Sequence, residues 1–419
     1  MYSVNIMNSD LNNFITFGCW NQKSGGVKKV LDTLKRIETD AVFISGDNYY
    51  PNKKERYDRV KGKVKKDKTI VLEDLKEGFM QLVASTIDKP VYMNFGNHDM
   101  VKNEGYKVVP PKDGSPVLEC AIMNEELKFN GRNTKIGMNH KIVSDHTLVL
   151  MIDTTIYCSE EEFDKEFVTC YSQLKGMPEA GLQVALQQIQ REYVMSAINA
   201  FEGDNIILIG HNPIIYEKRK KGASIEQLDS GVEFTGLLLD ITQTAHYTPG
   251  KHIYYLCADY HQYEEGVVTI ERGGQSIQIH QYIAGVGGTE LDPYYPKKSA
   301  LNKGQGDFRF HYDHVKTKTQ HGLLQANYEN GWNFNFVPVR IGVARHYRRK
   351  TANARTRASA RSSRSRLGQG NRNLGRNLGR NLTVRNALVS RGSRGSRSSR
   401  RSNSSGNRQR SERSQRTKR

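Results

Sequence analysis

Cysteine is scarce in this sequence, and the few cysteines are not arranged as a crosslinking or zinc-binding set. There are five in 419 residues, an odd number. No two of them are separated by only two residues, as the ligand pairs of zinc fingers usually are. The sequence therefore predicts neither a small fold held by disulfides nor a zinc finger.

Long apolar runs are also lacking. Residues 1–30 do not contain the positively charged start and apolar run of a secretory signal. No stretch reaches the roughly 18 uninterrupted apolar residues that a membrane-spanning helix needs. We therefore expect a protein that is neither secreted nor embedded in a membrane, and that works inside a cell or a packaged particle.

Acidic residues are almost missing from the C-terminal part of the chain. Residues 345–419 contain 24 lysines and arginines but a single acid, Glu412, which gives a net charge of +23. Residues 1–344 contain 39 basic and 43 acidic residues, a net charge of −4. A single basic nucleic-acid-binding fold is thereby excluded, because the positive charge belongs to one segment only.

The cationic segment 345–419 also has few aromatic or β-branched residues, and consists mainly of Arg, Ser, Gly and Asn. Such a composition cannot bury enough apolar surface to offset the entropy of ordering, so the segment is predicted to be a disordered tail. Its charge favours binding to nucleic acid or another polyanion, and its lack of aromatic rings argues against base stacking. A nucleus or a virus particle would suit such a tail. The alternative is a tail that only increases solubility.

The region before the tail alternates between short apolar runs and amphipathic helical patterns. Residues 27–37 repeat apolar side chains with a helical period, and residues 182–201 form a longer amphipathic segment. The apolar runs are typical of buried strands, the last of them of a hairpin, and they cover residues 13–17, 40–44, 90–95, 146–156, 205–209, 252–257, 277–286 and 323–337. This alternation predicts an α/β fold.

Three segments do not follow this alternation. Residues 51–71 are rich in Lys and Arg, and residues 101–142 are polar and irregular. Both are predicted to be surface insertions. Residues 311–314 contain two histidines and an aspartate, and are predicted to form a solvated loop rather than a metal site.

Polar residues that can bind metals follow several of the predicted strands. Asp47, Asn97, His211 and His261 each come shortly after an apolar run. Because the carboxyl ends of strands line one crevice in an α/β sheet, we expect these residues to converge. A mixed set of oxygen and nitrogen donors suits two hard or borderline cations. Two such cations can activate water and hold a phosphate during an in-line displacement.

Three motifs resemble those of the calcineurin-like metallophosphoesterases, and the purple acid phosphatases look closest among them. The motifs are Gly46-Asp47-Asn48-Tyr49-Tyr50, Gly96-Asn97-His98-Asp99 and Gly210-His211-Asn212-Pro213. The resemblance covers residues 14–337 and implies a four-layer α/β/β/α sandwich of two mixed sheets. On this basis the chain divides into a lead-in at 1–13, a metallophosphoesterase domain at 14–344 and the tail at 345–419.

The resemblance also implies a set of metal ligands. Asp47 would bridge two metal ions, of which the first would be bound by Tyr50 and His261. Asn97 and His211 would bind the second ion. The first metal of this family is typically ferric iron, and its companion here would be Fe, Zn or Mn.

The resemblance further implies the chemistry. His98 would act as general acid for the leaving group and would be positioned by Asp99, while a metal-bound hydroxide would attack the phosphorus. The predicted activity is that of an acid phosphatase-like hydrolase, a metal-dependent phosphoesterase that hydrolyses phosphomonoesters.

Two positions depart from the family pattern. Cys19 stands where the family's first motif has aspartate, and Asp259 stands where its last motif has histidine. Each can still bind a metal, Cys19 as a thiolate that prefers softer ions and Asp259 through oxygen. Each also has a plain interpretation, Cys19 as an inert buried thiol and Asp259 as a turn residue, and Tyr50 could equally be a packing aromatic.

These departures leave a second function class open. The chain would then be a catalytically weakened or silent phosphatase-like scaffold whose basic tail binds nucleic acid. A third hypothesis uses the same site for phosphodiester hydrolysis on a nucleic acid held by the tail. The metal content of the purified protein separates the first two hypotheses, and a substrate assay separates the third.

Overall fold

The structure is a computed structural model, and the residues that it describes all belong to the first of two units, Met1–Gly342. The second unit, Val343–Arg419, lies outside the described residues, and so does the predicted tail. The described ranges are 7–8, 11–20, 25–50, 52–58, 63–86, 89–100, 106–109, 134–136, 141–158, 171, 176–178, 181–220, 223–227, 231–293 and 299–340.

One of the two main sheets has nine strands. In spatial order they are β1 Met7–Asn8, β9 Lys141–Val143, β10 Thr147–Met151, β11 Asn205–Ile209, β14 His252–Cys257, β16 Gln275–Ala284, β15 Tyr263–Arg272, β18 Phe308–Lys318 and β17 Ala300–Gln305. The four strands from β10 to β16 are parallel, and the last three run antiparallel to their neighbours. The sheet is therefore mixed.

The other main sheet has six strands and is mixed as well. In spatial order they are β20 Trp332–Pro338, β19 Gly322–Tyr328, β2 Asn13–Phe17, β3 Ala41–Ile44, β6 Val91–Met93 and β8 Thr134–Ile136. The strands β2, β3, β6 and β8 are parallel, while β19 and β20 form the predicted hairpin beside β2.

The helices are α1 Gly25–Leu34, α2 Leu72–Ser85, α3 Thr155–Cys158, α4 Leu182–Asn199 and α5 Gly231–Asp240. Short 3-10 helices cover Asn97–Met100 and Ile241–Gln243. None of the helices among the described residues is long and apolar enough to cross a membrane.

Alternation along the strands divides the core into two kinds of layer. Phe14 and Phe43 of the six-stranded sheet share a buried cluster with Val149 and Ile207 of the nine-stranded sheet. Their chain neighbours point to the opposite faces, and the second cluster joins both sheets to the helices, including Ile15, Val42, Val30, Leu34, Leu148, Ile206 and Leu186. The predicted four-layer α/β/β/α sandwich is confirmed.

The two predicted insertions contain more regular structure than their sequences indicate. The lysine-rich segment holds β4 Asn52–Asp58 and β5 Lys63–Val71, which form a three-stranded sheet with β7 Tyr106–Val109. Beyond His211, β12 Tyr216–Lys220 and β13 Ala223–Gln227 form a separate hairpin. The expectation that residues 101–142 are irregular is wrong for the strands β7, β8 and β9, because neighbouring strands supply their hydrogen bonds.

The expectation of a loop at residues 311–314 is also wrong. These residues lie within β18, which pairs with β15 and β17. His311 accepts or donates hydrogen bonds at 2.7 Å from Asn302 Oδ1 and at 3.0 Å from Asp313 Oδ1. The polar pattern belongs to the exposed face of a strand, where residues alternate in and out of solvent.

Candidate metal centre

The candidate ligands lie just beyond the carboxyl ends of five parallel strands. In the six-stranded sheet Cys19 follows β2, Asp47 follows β3 and Asn97 follows β6, while in the nine-stranded sheet His211 follows β11 and Asp259 follows β14. Both sheets thus contribute residues from the same kind of strand end, which is where ligand sites form in α/β sheets.

Three of these residues have an unusual backbone conformation. The φ angles are 53° at Cys19, 55° at Asp47 and 53° at Asp259. The left-handed region is unfavourable for residues other than glycine. Such conformations cluster at functional sites, where the surrounding structure holds them in place. The sharp turns aim all three side chains into one cluster.

The cluster consists of two groups of ligand atoms that share Asp47. Cys19, Asp47 and His261 form one group, and Asp47, His211 and Asp259 form the other. The ligand atoms within each group lie within 4.8 Å of one another. Cys19, Asp47 and His211 are buried, whereas His261 and Asp259 are half-buried. A carboxylate shared by two such groups has the position of a bridging ligand.

Tyr50 completes the first group. Its hydroxyl donates a hydrogen bond to Asp47 Oδ2 and lies 3.0 Å from His261 Nε2. The Cys19 thiol donates to the same Asp47 oxygen over 3.8 Å. Four residues with sulfur, carboxylate, phenol and imidazole donors therefore converge on one point.

Asn97 completes the second group. The His211 Nε2 atom lies 3.3 Å from Asp47 Oδ1 and 3.6 Å from Asp259 Oδ1. The amide oxygen of Asn97 lies 3.4 Å from the same nitrogen. Asn97 is exposed, so this group opens to solvent on the side where a substrate can enter.

Hydrogen bonds to backbone carbonyls orient both histidines. His211 Nδ1 donates to the carbonyl of Ser45 over 2.6 Å, and His261 Nδ1 donates to the carbonyl of Glu290 over 2.8 Å. With its proton on Nδ1, each neutral ring turns the lone pair of Nε2 towards the cluster. Metal-binding histidines are held in this way, so the donor set fits a pair of cations.

The electrostatics of the cluster favour positive charge. Burial raises the pKa of the Cys19 thiol well above its usual value, and the Asp47 carboxylate raises it further. The same causes raise the pKa of Tyr50. Burial lowers the pKa of His211, but Asp47 and Asp259 outweigh this effect and raise the pKa to about 10. A bound cation reverses these shifts and favours the deprotonated ligands.

His98 and Asp99 occupy different surroundings. The backbone N–H of His98 donates to Asp47 Oδ1 over 2.9 Å, and its half-buried ring lies 4.5 Å from the ring of Tyr50. Asp99 is buried, and its carboxylate accepts hydrogen bonds of 2.9 Å from the Asn48 backbone, 2.8 Å from the Asn48 amide and 2.7 Å from the Gly96 backbone. Asp99 thus fixes the Asp47 loop against the Asn97 loop.

Burial and the nearby Asp47 charge raise the pKa of Asp99 to about 7, although the N–H groups of Gly96 and Asn48 oppose the shift. The two loops are packed so closely that Gly96 leaves no space for a side chain. A Cβ there would lie 2.3 Å from the Asp47 backbone nitrogen. Any larger residue at this position would displace the candidate bridging ligand.

Sequence reasoning did not find a polar network beneath the ligands. The Asn94 amide donates to the carbonyls of Ile152 and Ile209 at 3.1 and 2.6 Å and so joins the two sheets. The Thr154 hydroxyl accepts hydrogen bonds from the backbone of His211 at 3.0 Å and of Asn212 at 2.9 Å. Their one sequence signal is their position at the ends of the strands β6 and β10.

Asp153 belongs to the same network and is fully buried. It accepts hydrogen bonds from the Thr155 backbone at 2.9 Å and from the hydroxyl of Tyr171, while its own N–H donates to Gln190 of α4. Burial raises the pKa of Asp153. The residue anchors α4 to the loop that supports His211.

Comparison with known proteins gives one family and two solved structures. The sequence model of the calcineurin-like phosphoesterase family matches residues 9–242. The structure of PhoD is 11% identical, with 79% of this chain and 69% of that chain covered and a TM-score of 0.47. For the protein TT1561 of Thermus thermophilus the values are 10%, 65%, 88% and 0.28. Among curated proteins, none matches the chain.

Proposed function

The chain belongs to the calcineurin-like phosphoesterase family, and from this premise we propose that it hydrolyses phosphomonoesters with two metal ions. The family supports metal-dependent phosphoester hydrolysis in general. The finer proposal depends mainly on one observation: two groups of potential ligands share the carboxylate of Asp47. A binuclear centre requires such a shared ligand.

In this proposal the first ion is held by Cys19, Asp47, Tyr50 and His261, and the second by Asp47, Asn97, His211 and Asp259. When bound, the ions would activate water as the nucleophile and stabilise the negative charge on the phosphoryl oxygens. A phenolate suits ferric iron, as in the purple acid phosphatases that the motifs resemble. The thiolate of Cys19 would favour a softer ion at the first position.

The remaining residues prepare the site for the substrate. The exposed amide of Asn97 and the half-buried ring of His98 lie at its open side. Because the backbone of His98 is held by Asp47, its imidazole is placed beside the cluster, where it can give a proton to the leaving oxygen. Asp99 acts on His98 through the backbone of the loop that it fixes.

Replacement of His98 by alanine tests the proton donor. The His98→Ala variant should keep its metal content, because no ligand atom is removed, and should lose about 10²–10⁴-fold in turnover, as expected for a general acid. The loss should be larger for phenyl phosphate than for nitrophenyl phosphate, whose leaving group needs less protonation. The matched control is His311→Ala, which removes an exposed histidine of β18. Loss of metal from His98→Ala would instead make His98 a ligand.

A second candidate function is favoured by the surroundings of Cys19. The thiol is fully buried, donates to Asp47, and has a raised pKa, so it can serve as an inert packing residue. The chain would then be a weakened or silent phosphatase-like scaffold, with residues 345–419 binding nucleic acid.

Reversion of both departures separates these functions. The double variant Cys19→Asp, Asp259→His should raise metal occupancy and activity towards a typical family member. Aspartate also tolerates the left-handed backbone of position 19 better than cysteine does. Metal content and aryl phosphate hydrolysis are measured on both proteins. If neither form binds metal, the scaffold function is correct. If the parent binds two ions and the double variant is worse, Cys19 and Asp259 are specialised ligands.

A further inference from the structure

The three-stranded sheet formed by β4, β5 and β7 carries a concentration of positive charge beside the candidate centre. Residues 52–71 contain nine lysines and arginines and three acids, whereas the rest of residues 1–344 contains thirty basic and forty acidic residues. The body of the protein is therefore acidic except in this sheet. Such a segregated patch is an electrostatic footprint for a polyanion.

Chain connectivity places this sheet near the metal ligands. β4 begins at Asn52, two residues after Tyr50, and β7 begins at Tyr106, six residues after the 3-10 helix that carries Asn97 and His98. Two residues of extended chain span at most about 7 Å. The sheet therefore grows out of the two loops that hold both candidate metal positions.

The register brings cations together in a way that costs stability. Lys53 is paired with Lys68, and Arg56 is paired with Lys65. Like charges directly opposite each other in a sheet are destabilising. Lysine on an edge strand protects against edge-to-edge pairing, but β5 is the central strand of this sheet. A bound polyanion would neutralise these pairs and offset their repulsion.

Aromatic residues share the register rows with these cations. Lys68 is paired with Lys53 on one side and with Tyr106 on the other, which forms a row of two lysines and a tyrosine across all three strands. Tyr57 occupies the same face of β4 as Lys53, four residues further on. Positive charge interleaved with aromatic rings is the combination that binds single-stranded nucleic acid, because the cations contact phosphates and the rings stack on bases.

We propose that this sheet binds single-stranded nucleic acid, and that the substrate of the candidate centre is the terminal phosphate of such a strand. The inference rests on the proposed phosphomonoesterase function and names its substrate class. Lysines 53 and 68 hold the phosphates next to the one that is hydrolysed, and Tyr106 stacks on a neighbouring base. This contact is separate from the tail, since it involves the first unit of the chain alone.

The test compares two substrates, an oligonucleotide with a terminal phosphate and nitrophenyl phosphate, with the full-length protein. The variant Lys53→Gln, Lys68→Gln should lose about 10²-fold in kcat/KM for the oligonucleotide at low salt, and its salt slope should fall by roughly one for each lysine. Hydrolysis of nitrophenyl phosphate should not change. Tyr106→Ala should lose about tenfold on the oligonucleotide only.

Two further variants serve as controls. Lys53→Arg, Lys68→Arg keeps the charge and should retain the oligonucleotide activity. Lys303→Gln, Arg309→Gln removes the same charge from β17 and β18 and should behave as the parent. Because every variant keeps the tail, the tail cannot produce the differences.

Several results would overturn the proposal. One is an equal loss on both substrates, and another is an equal loss in the β17 and β18 control. Inhibition by inorganic polyphosphate that is as strong for Tyr106→Ala as for the parent would assign the sheet to polyphosphate instead. If the parent does not hydrolyse nitrophenyl phosphate, the proposed function fails, and oligonucleotide affinity, measured on the same variants, still tests the sheet.

Discussion

The Asp47→Ala variant should lose at least about 10⁴-fold in kcat/KM for an aryl phosphate, because several kcal/mol of transition-state stabilisation by both ions depend on one carboxylate. Asp47 is shared by the two ligand groups, and it also accepts hydrogen bonds from Tyr50 and from the His98 backbone. Its removal therefore disturbs both metal positions and the candidate proton donor at once.

The matched control is Asp313→Ala, which removes an exposed carboxylate of β18 and should leave activity unchanged. Asp47→Asn gives a second readout, since it keeps the shape of the side chain but removes its charge. We expect it to lose metal and activity like Asp47→Ala. Hydrolysis by Asp47→Ala at the rate of the parent would show that the reaction does not use this cluster.

Removal of residues 345–419 should abolish binding to double-stranded DNA. The net charge of +23 predicts contacts to the phosphate backbone with little sequence preference. For the full-length chain, affinity should fall by about 10³-fold or more between 50 and 200 mM salt if six or more phosphates are contacted. Both quantities are measured by fluorescence anisotropy on the full chain and on a chain that ends at Ala344.

The same truncated chain should hydrolyse nitrophenyl phosphate at the rate of the parent, because every candidate ligand lies before residue 262. A second control replaces the serines of the tail with alanine, which keeps the charge and should keep DNA binding. Binding of duplex DNA by the truncated chain, whose net charge is −4, would show that the activity belongs to the body and not to the tail.

The fold was predictable wherever burial dominates a segment. The run at 205–209 coincides with β11 Asn205–Ile209, whose five residues are all buried, because a fully buried strand is apolar throughout. Tyr106–Val109 and Lys141–Val143 were not predicted, since short polar strands owe their hydrogen bonds to partners that are distant in sequence.

The candidate ligands were predictable for a different reason. Asp47, Asn97 and His211 follow strands, and strand ends meet at one edge of a sheet. Asn94 and Asp153 were not assigned a role, because each acts through backbone groups of loops that are distant in sequence. The register of Lys53 with Lys68 and of Lys68 with Tyr106 could also be known only from the strand pairing.

The metal content of the purified full-length protein tests the central claim most directly. Elemental analysis should find about two metal ions per chain in the parent, because Asp47 joins two ligand groups in one centre. The Asp47→Ala variant, purified in the same way, should retain almost none, whereas Asp313→Ala should match the parent. A parent chain without bound metal, after purification in the presence of iron, zinc and manganese, would contradict the account.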